Sequence, residues 1–268
     1  MSQDRKEIII YTDGAARGNP GPGGYGLVLI DMHADEIVEK GEGYEHTTNN
    51  AMELLAVLRA LEIIFTKKDR DRTYTQIPVH LYTDSRYVHQ GITSWMHGWA
   101  RNGWRKKDGE IIGNKELWQK VHTLAQDLAD VPITYVHVPG HAGIPGNERA
   151  DTIATAYADI DDNFSPYRGS SSEYTDYALL IQPPREEELT VMRASKKEQK
   201  KKTTGRPLGY LSYVEGSVYF DTTWNECKER VHGKKGVSFR KVMTESDIRD
   251  LLNTWGVPKN TEVIGYEI

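Results

Sequence analysis

The sequence predicts an α/β fold: a five-stranded mixed sheet flanked by helices, followed by a small α+β domain. Three observations carry this. Strand-like runs separated by short turns open the chain between residues 6 and 45, the mark of an antiparallel meander. From Asn50 onward apolar strands alternate with helical segments, which puts helices on the faces of the sheet. After about residue 160 come Pro/Gly/Ser-rich, polar and lysine-rich stretches, and order resumes near Gly209.

The first strand, Ile8-Ile-Ile-Tyr-Thr-Asp13, is an apolar, β-branched run that ends in an acid. A carboxylate there is costly to desolvate unless a cation or a rim of water compensates it. The Gly/Pro/Asn cluster from Gly14 to Gly26 is a tight turn with little side-chain bulk, and its backbone amides can approach a polyanion closely. Gly24–Asp31 and about Ile37–Glu45 complete the meander. Asn50–Phe65 reads as a helix rich in Ala and Leu, with Thr and Asn caps at its start. It is apolar over much of its surface, so it is expected to be buried, and Glu53 lies in its first turn.

Val79–Asp84 is a second apolar strand ending in an acid, and Ser85–Gly91 a short helix stopped by glycine. Trp95–Lys107 interleaves tryptophans with cations, and Trp95 is expected to pack in the core. Asn114–Leu128 is an amphipathic helix and Ile133–Val138 a third apolar strand. A Gly/Pro-flanked loop bearing His141 follows, then a helix over Glu148–Ala158 with Asp151 in its opening turns. Sites in such sheets gather at strand C-terminal ends, where strand order reverses. If the strands ending in Asp13 and Asp84 lie side by side and parallel, the two carboxylates meet, and Glu53 and Asp151 can reach the same spot.

The expected division is a catalytic domain over 1–162, a linker over 163–205 with a docked piece around Tyr177–Ile181, and a small domain over 206–268. In the last, Tyr210–Val214 and Val218–Phe220 form a hairpin around Gly216. Trp224–His232 is a helix, Val237–Val242 a strand and Glu245–Trp255 a final helix.

Composition narrows the class. The 268 residues are 38% hydrophobic and 27% charged, as in globular chains. No apolar run approaches the roughly 20 residues that span a bilayer, and the first residues lack the apolar core of a signal peptide. Cys227 is the only cysteine, which leaves no intrachain disulfide and no cysteine-based zinc site. A reducing, cytoplasmic setting is expected. The net charge of −5 argues weakly against a nucleic-acid partner, but the distribution of charge matters more.

Four converging acids, Asp13, Glu53, Asp84 and Asp151, repel one another and raise each other's pKa unless divalent cations intervene. All-oxygen ligation favours Mg²⁺ or Mn²⁺ over zinc. Two such ions about 3.5–4 Å apart can activate a water and stabilise a leaving oxygen in phosphoryl displacement. His141, in its loop, could shuttle a proton or help product leave, or be a polar turn residue. Glu148 is either an acid one layer behind the cation ligands or a helix-start charge.

The motifs Tyr11-Thr-Asp13-Gly, Gly18-Asn-Pro-Gly-Pro-Gly-Gly-Tyr-Gly26, Thr47-Thr-Asn-Asn50 with Met52-Glu53-Leu, Thr83-Asp84-Ser85, and Gly140-His141-Ala-Gly with Asn147-Glu-Arg-Ala-Asp151 stand in one order and spacing. With them, residues 6–158 resemble the type 1 ribonuclease H domain of bacteria. The resemblance implies a ribonuclease H-like fold. It also implies a two-metal endonuclease that cuts the RNA strand of RNA–DNA hybrids and leaves 5′-phosphate and 3′-hydroxyl ends. By it, Asp13, Glu53, Asp84 and Asp151 bind two Mg²⁺ ions, with Mn²⁺ an alternative, and His141 assists turnover. Asn19, Asn49 and Asn50 suit the 2′-hydroxyl that marks RNA. Thr48 with Asn49 suits a DNA-strand phosphate. Trp95–Lys107 resembles the family's basic protrusion, with Trp99 or Trp104 against sugars or bases and Arg101, Arg105, Lys106 and Lys107 at phosphates.

Thr223-Trp224-Asn-Glu-Cys227, Gly233-Lys-Lys-Gly and Ser238-Phe239-Arg240-Lys241 resemble the ribonuclease H hybrid-binding, viroplasmin-like domain, which here follows the catalytic domain instead of preceding it. That likeness implies stacking by Trp224 and Phe239 and phosphate contacts by Arg240 and Lys241. Glu215 departs from it, since the family tends to be basic in this hairpin. The Lys196–Lys202 run adds non-specific attraction. No membrane partner is expected.

Overall fold

The structure is a computed structural model. It describes residues 6–203, 207–234, 236–258 and 261–266, with 197–203 described by their backbone alone. The side chains of the lysine run from residue 197 onward, and Lys235 of the Gly233–Gly236 motif, lie outside the described residues. The chain divides into two compact units after Arg193.

The first unit is built on a sheet of strands β1 (Ile8–Ala16), β2 (Gly21–Asp31), β3 (Glu36–Thr47), β4 (Val79–Thr83), β5 (Ile133–His137) and β6 (Arg168–Gly169), in the order β5-β4-β1-β2-β3-β6. β1, β2 and β3 form the antiparallel meander, and β4 and β5 run parallel to β1. The central position of β1 explains its unbroken apolar run. Alternate side chains point to opposite faces, and both faces are covered. Ile8 and Ile10 enter one core with α1 (Asn49–Arg70), which is capped by the Thr48 side chain. Ile9 and Tyr11 enter the other with α5 (Pro145–Ala158).

Between β4 and β5 lie α2 (Arg86–Gln90), a π-turn (Gly91–Trp95), α3 (Met96–Arg101) and α4 (Lys115–Asp127). Trp95, expected in the core, is 38% exposed. Ile92 and Met96 face inward around it and turn Trp95 off the buried side. The tryptophan that fills this core is Trp118 of α4, which is fully buried with its indole N–H donating to Tyr87 Oη at 2.7 Å.

The sheet has six strands instead of five because the segment beyond residue 163 returns to it. β6 pairs with β3; a 3₁₀ turn, α6 (Tyr177–Leu180) and the start of α7 (Glu186–Thr203) follow. Leu180 and Leu189 are buried against the core that holds Ile9 and Tyr11. Residues 164–193 are therefore an integral strap of the first unit, where the sequence predicts a linker with one docked piece. The anchoring apolar residues are widely spaced in a polar segment, so no helical or strand period betrays them.

The second unit is a four-stranded sheet of β7 (Gly209–Val214), β8 (Ser217–Asp221), β9 (Ser238–Val242) and β10 (Val263–Ile264), in the order β10-β8-β7-β9. α8 (Trp224–Val231) and α9 (Glu245–Thr254) each begin with a capping box, Thr223 with Glu226 and Thr244 with Asp247. Cys227 and Val231 of α8 pack with Val214, whereas Ile248 and Leu252 of α9 pack with Leu211, Val218 and Val242.

A linker would tolerate loss of Leu180 or Leu189, whereas a packed strap does not. Leu180→Ala and Leu189→Ala should each destabilise the first unit by about 2–5 kcal/mol, read from its midpoint in chemical denaturation of the full chain.

Candidate active site

The site grows from the end of β1. Asp13 is 7% exposed, and its carboxylate accepts a hydrogen bond from the Gly14 N–H at 2.7 Å. β4 lies beside β1 in parallel, with Thr83 level with Thr12, so Asp84 leaves its strand next to Asp13. Glu53 arrives by close packing of α1 on the same strand. A Cβ at residue 14 would collide with the backbone of Met52 and Glu53, so only glycine lets the start of α1 seat there. Two donors aim Glu53: Asn49 Nδ2, 2.7 Å from Oε1, and Ser85 Oγ, which bonds Oε2. Ser85 is also the N-cap of α2. One oxygen from each of Asp13, Glu53 and Asp84 lies within 4.8 Å of the others.

Asp151 stands in an adjoining group. It, His141 and Glu148 offer ligand atoms within 4.8 Å of one another. His141 Nδ1 is 3.9 Å from Asp151 Oδ2, and the imidazole is 78% exposed. Gly140 brings the histidine loop against the first group, since a side chain there would strike the Asp84 carboxylate. Glu148 accepts from the Gly143 N–H at 3.2 Å, so it braces the loop. Asp13, Glu53 and Asp84 line one cleft of about 540 Å³ with His141 and Asp151 of the second group, together with Asn49, Thr155 and Arg17. The expected meeting of four acids is thus three at one point, with the fourth lining the same cleft.

The electrostatics call for positive charge. Burial, then the neighbouring Asp84 carboxylate, pushes Asp13 up to about 8, against the pull of the Gly14 hydrogen bond. Burial likewise pushes Glu53 up to about 7, opposed by the Ser85 and Asn49 hydrogen bonds. Hard oxygen donors on rigid elements, destabilised as anions by their own crowding, fit a divalent cation.

The residues expected at a nucleic acid are more divided. Asn19 and Asn50 are exposed. Thr48 is the α1 cap, and the Asn49 amide is engaged with Glu53. Trp99 is half-buried against Trp118 at a ring separation of 5.4 Å, and Trp104 lies 5.7 Å from His122. Arg101 and Lys107 are exposed. Arg105 donates to the Gly109 carbonyl at 2.7 Å and Lys106 pairs with Glu110 at 2.7 Å, so both are held within their own loop. In the second unit Trp224 and Phe239 are each 39% exposed, with rings 5.5 Å apart, and Tyr210 lies 5.4 Å from Trp224. Arg240 and Lys241 are exposed. Glu215 pairs with Lys234 at 3.6 Å, which offsets its charge.

Three site residues escape the sequence reading. Ser85 was visible as the residue after Asp84 at a helix start. Arg17 and Thr155 carry no local signal. Arg17 is held by Asp159, Nη2 to Oδ2 at 2.6 Å, across 142 residues of chain.

The cation-free protein should have a characteristic pH dependence. The native state keeps protons on Asp13 and Glu53 that the unfolded chain has released, so stability falls as pH rises from the ordinary carboxylate range through about 8. Asp13→Asn removes most of this slope and raises the melting temperature at pH 8, as measured by thermal unfolding in chelator. An unchanged slope would contradict the assigned electrostatics.

The RNase H family matches residues 5–159. Ribonuclease H of Bradyrhizobium diazoefficiens is 49% identical over 147 residues, which is 55% of this chain and 86% of that protein. Ribonuclease H of Pectobacterium carotovorum is 44% identical over 154 residues, 58% of this chain and 91% of that protein. Among solved structures, LC9-RNase H1, a type 1 RNase H with the type 2 active-site motif, is 28% identical over 72% of this chain and 87% of its own, with a TM-score of 0.49. LC11-RNase H1 in complex with RNA/DNA hybrid is 29% identical over 57% of this chain and 98% of its own, with a TM-score of 0.40. Among the described residues no helix is long and apolar enough to cross a membrane. Because the family match covers more than half of the chain and contains every acid of the cleft, this protein belongs to the ribonuclease H family of nucleases.

Proposed function

We propose that the protein is an endoribonuclease that hydrolyses the RNA strand of RNA–DNA hybrids in the cytoplasm and leaves 5′-phosphate and 3′-hydroxyl ends. The observation that carries this reading is the trio of carboxylates, Asp13, Glu53 and Asp84, with oxygens within 4.8 Å of one another. Asp13, Glu53, Asp84 and Asp151 are the residues that would hold two Mg²⁺ ions, with Mn²⁺ an alternative. Ions held there would supply charge neutralisation at the phosphodiester, a lowered pKa for a water and stabilisation of the leaving oxygen.

The chain's own groups do the rest. Asn49 and Ser85 fix the direction of Glu53. His141, exposed on its loop next to Asp151, is free to exchange a proton with solvent and with a departing product. Asn19, Asn50 and the backbone of the β1–β2 turn present short donors and acceptors suited to a 2′-hydroxyl. Thr48 at the mouth of α1, with Arg101 and Lys107, suits phosphates. The second unit is read as an accessory hybrid-binding module. Trp224, Phe239 and Tyr210 form a half-exposed aromatic face bordered by Lys241, which sits opposite Tyr210 in the strand register. Stacking with flanking cations binds a strand without reading its sequence. A module on the same chain raises the local concentration of substrate at the cleft.

End-labelled hybrid should be cut with Mg²⁺ and spared without it, whereas double-stranded DNA and double-stranded RNA of the same sequence should stay intact. Asp13→Asn should abolish cleavage and retain hybrid binding; turnover by that variant refutes the cation assignment. Trp224→Ala and Phe239→Ala should each weaken hybrid binding about 5- to 150-fold, the range for one lost base stack, and leave single-turnover cleavage at saturating enzyme unchanged. Unaltered affinity in both would remove the module from the binding surface.

A further inference from the structure

We propose that the strap over 164–193 positions the cleft, acting through a clamp of Tyr174, Glu39 and Arg149 that sets the orientation of α5 and with it Asp151. The proposal rests on the reading of Asp151 as a cation ligand and assigns a task to a segment that lies beyond the family match at 5–159.

The clamp is built around the Glu39 carboxylate, whose side chain has no exposure. It accepts four hydrogen bonds: Arg149 Nε at 2.6 Å, Arg149 Nη2 at 2.8 Å, Tyr174 Oη at 2.6 Å and the Tyr167 N–H at 2.9 Å. Two come from α5 and two from the strap, and the acceptor belongs to β3. The bidentate fork fixes the guanidinium in plane as well as in position. Arg149 is two residues before Asp151. At about 100° per residue on a helix, their side chains leave α5 in widely separated directions, Arg149 toward the sheet and strap, Asp151 toward the cleft. Holding the first therefore fixes the rotation that aims the second.

The strap grips the rest of the cleft at two further points. Leu180 and Leu189 share a core with Val138 and Ile144, the residues that bracket the histidine loop, and Ala142 packs on it. The Tyr11 hydroxyl, two residues before Asp13, donates to the Leu180 carbonyl at 3.1 Å. The strand end, the histidine loop and α5 thus all rest on one polypeptide segment. A buried carboxylate loses most when a donor is withdrawn, because water cannot replace it. Tyr174→Phe withdraws one donor and leaves the ring that packs edge-on against Tyr167 at 4.8 Å.

The test is calorimetric titration of the full chain with Mn²⁺ alone, without substrate, beside thermal unfolding. Tyr174→Phe should weaken Mn²⁺ binding about 3- to 10-fold, less than the 10- to 100-fold typical of a partner bonded directly to a ligand. The Mn²⁺ concentration for half-maximal cleavage should rise by the same factor, with kcat at saturating Mn²⁺ within twofold. Leu179→Ala, a half-exposed strap position outside the clamp, should leave both unchanged. A lower melting temperature with wild-type Mn²⁺ affinity in Tyr174→Phe would reduce the strap to a structural prop and overturn the proposal. Asp151→Asn separates the two readings. If it binds Mn²⁺ as the wild type does, the ligand assignment of Asp151 fails. If it weakens binding while Tyr174→Phe does not, the strap inference alone fails.

Discussion

The constraint on which the first unit depends is that β1 delivers the carboxylate of Asp13 to a place that water barely reaches. An anion there is unfavourable by itself, and every neighbouring element adds to the difficulty or relieves it. β4 adds a second acid beside it and α1 a third. The Gly14 amide, the Ser85 hydroxyl and the Asn49 amide each donate to one of these acids. The sum is a rigid, electron-rich pocket that gains most from a small hard cation. Rigidity follows from the same source, because donors that satisfy buried acids must stay in place or leave them unsatisfied.

Much of this is legible in the sequence itself. Asp13 and Asp84 announce themselves as acids at the ends of apolar runs, and parallel pairing of those runs is enough to bring them together. Glu53 is legible because it is the first charge in a greasy helix, although α1 begins at Asn49 and places it just past the first turn. Asp151 is legible as a position, but its grouping with His141 and Glu148 depends on where the loop after β5 folds, which no periodicity encodes. Arg17 was illegible for a similar reason, since its partner Asp159 lies at the far end of the catalytic segment.

The misreadings have physical causes too. Trp95 and Trp118 are equally hydrophobic, and only the π-turn before α3 decides which of them faces inward. The strap reads as a linker in sequence because its polar composition resembles solvent-facing chain. Its order comes instead from a few isolated anchors and from one buried carboxylate on β3 that collects donors from far away. In the segment between α3 and α4, Arg105 and Lys106 count as cations by composition, yet their own loop already occupies them. Charge content alone overstates what a surface can offer a polyanion.

Gly140 leads to a different kind of conclusion. Its missing side chain is the gap through which the Asp84 carboxylate and the histidine loop meet. A methyl group at that one position would strike the Asp84 carboxylate, so either the acid turns aside or the loop stands off from it. The approach of the histidine loop to the acids is thereby set by an atom the chain leaves out.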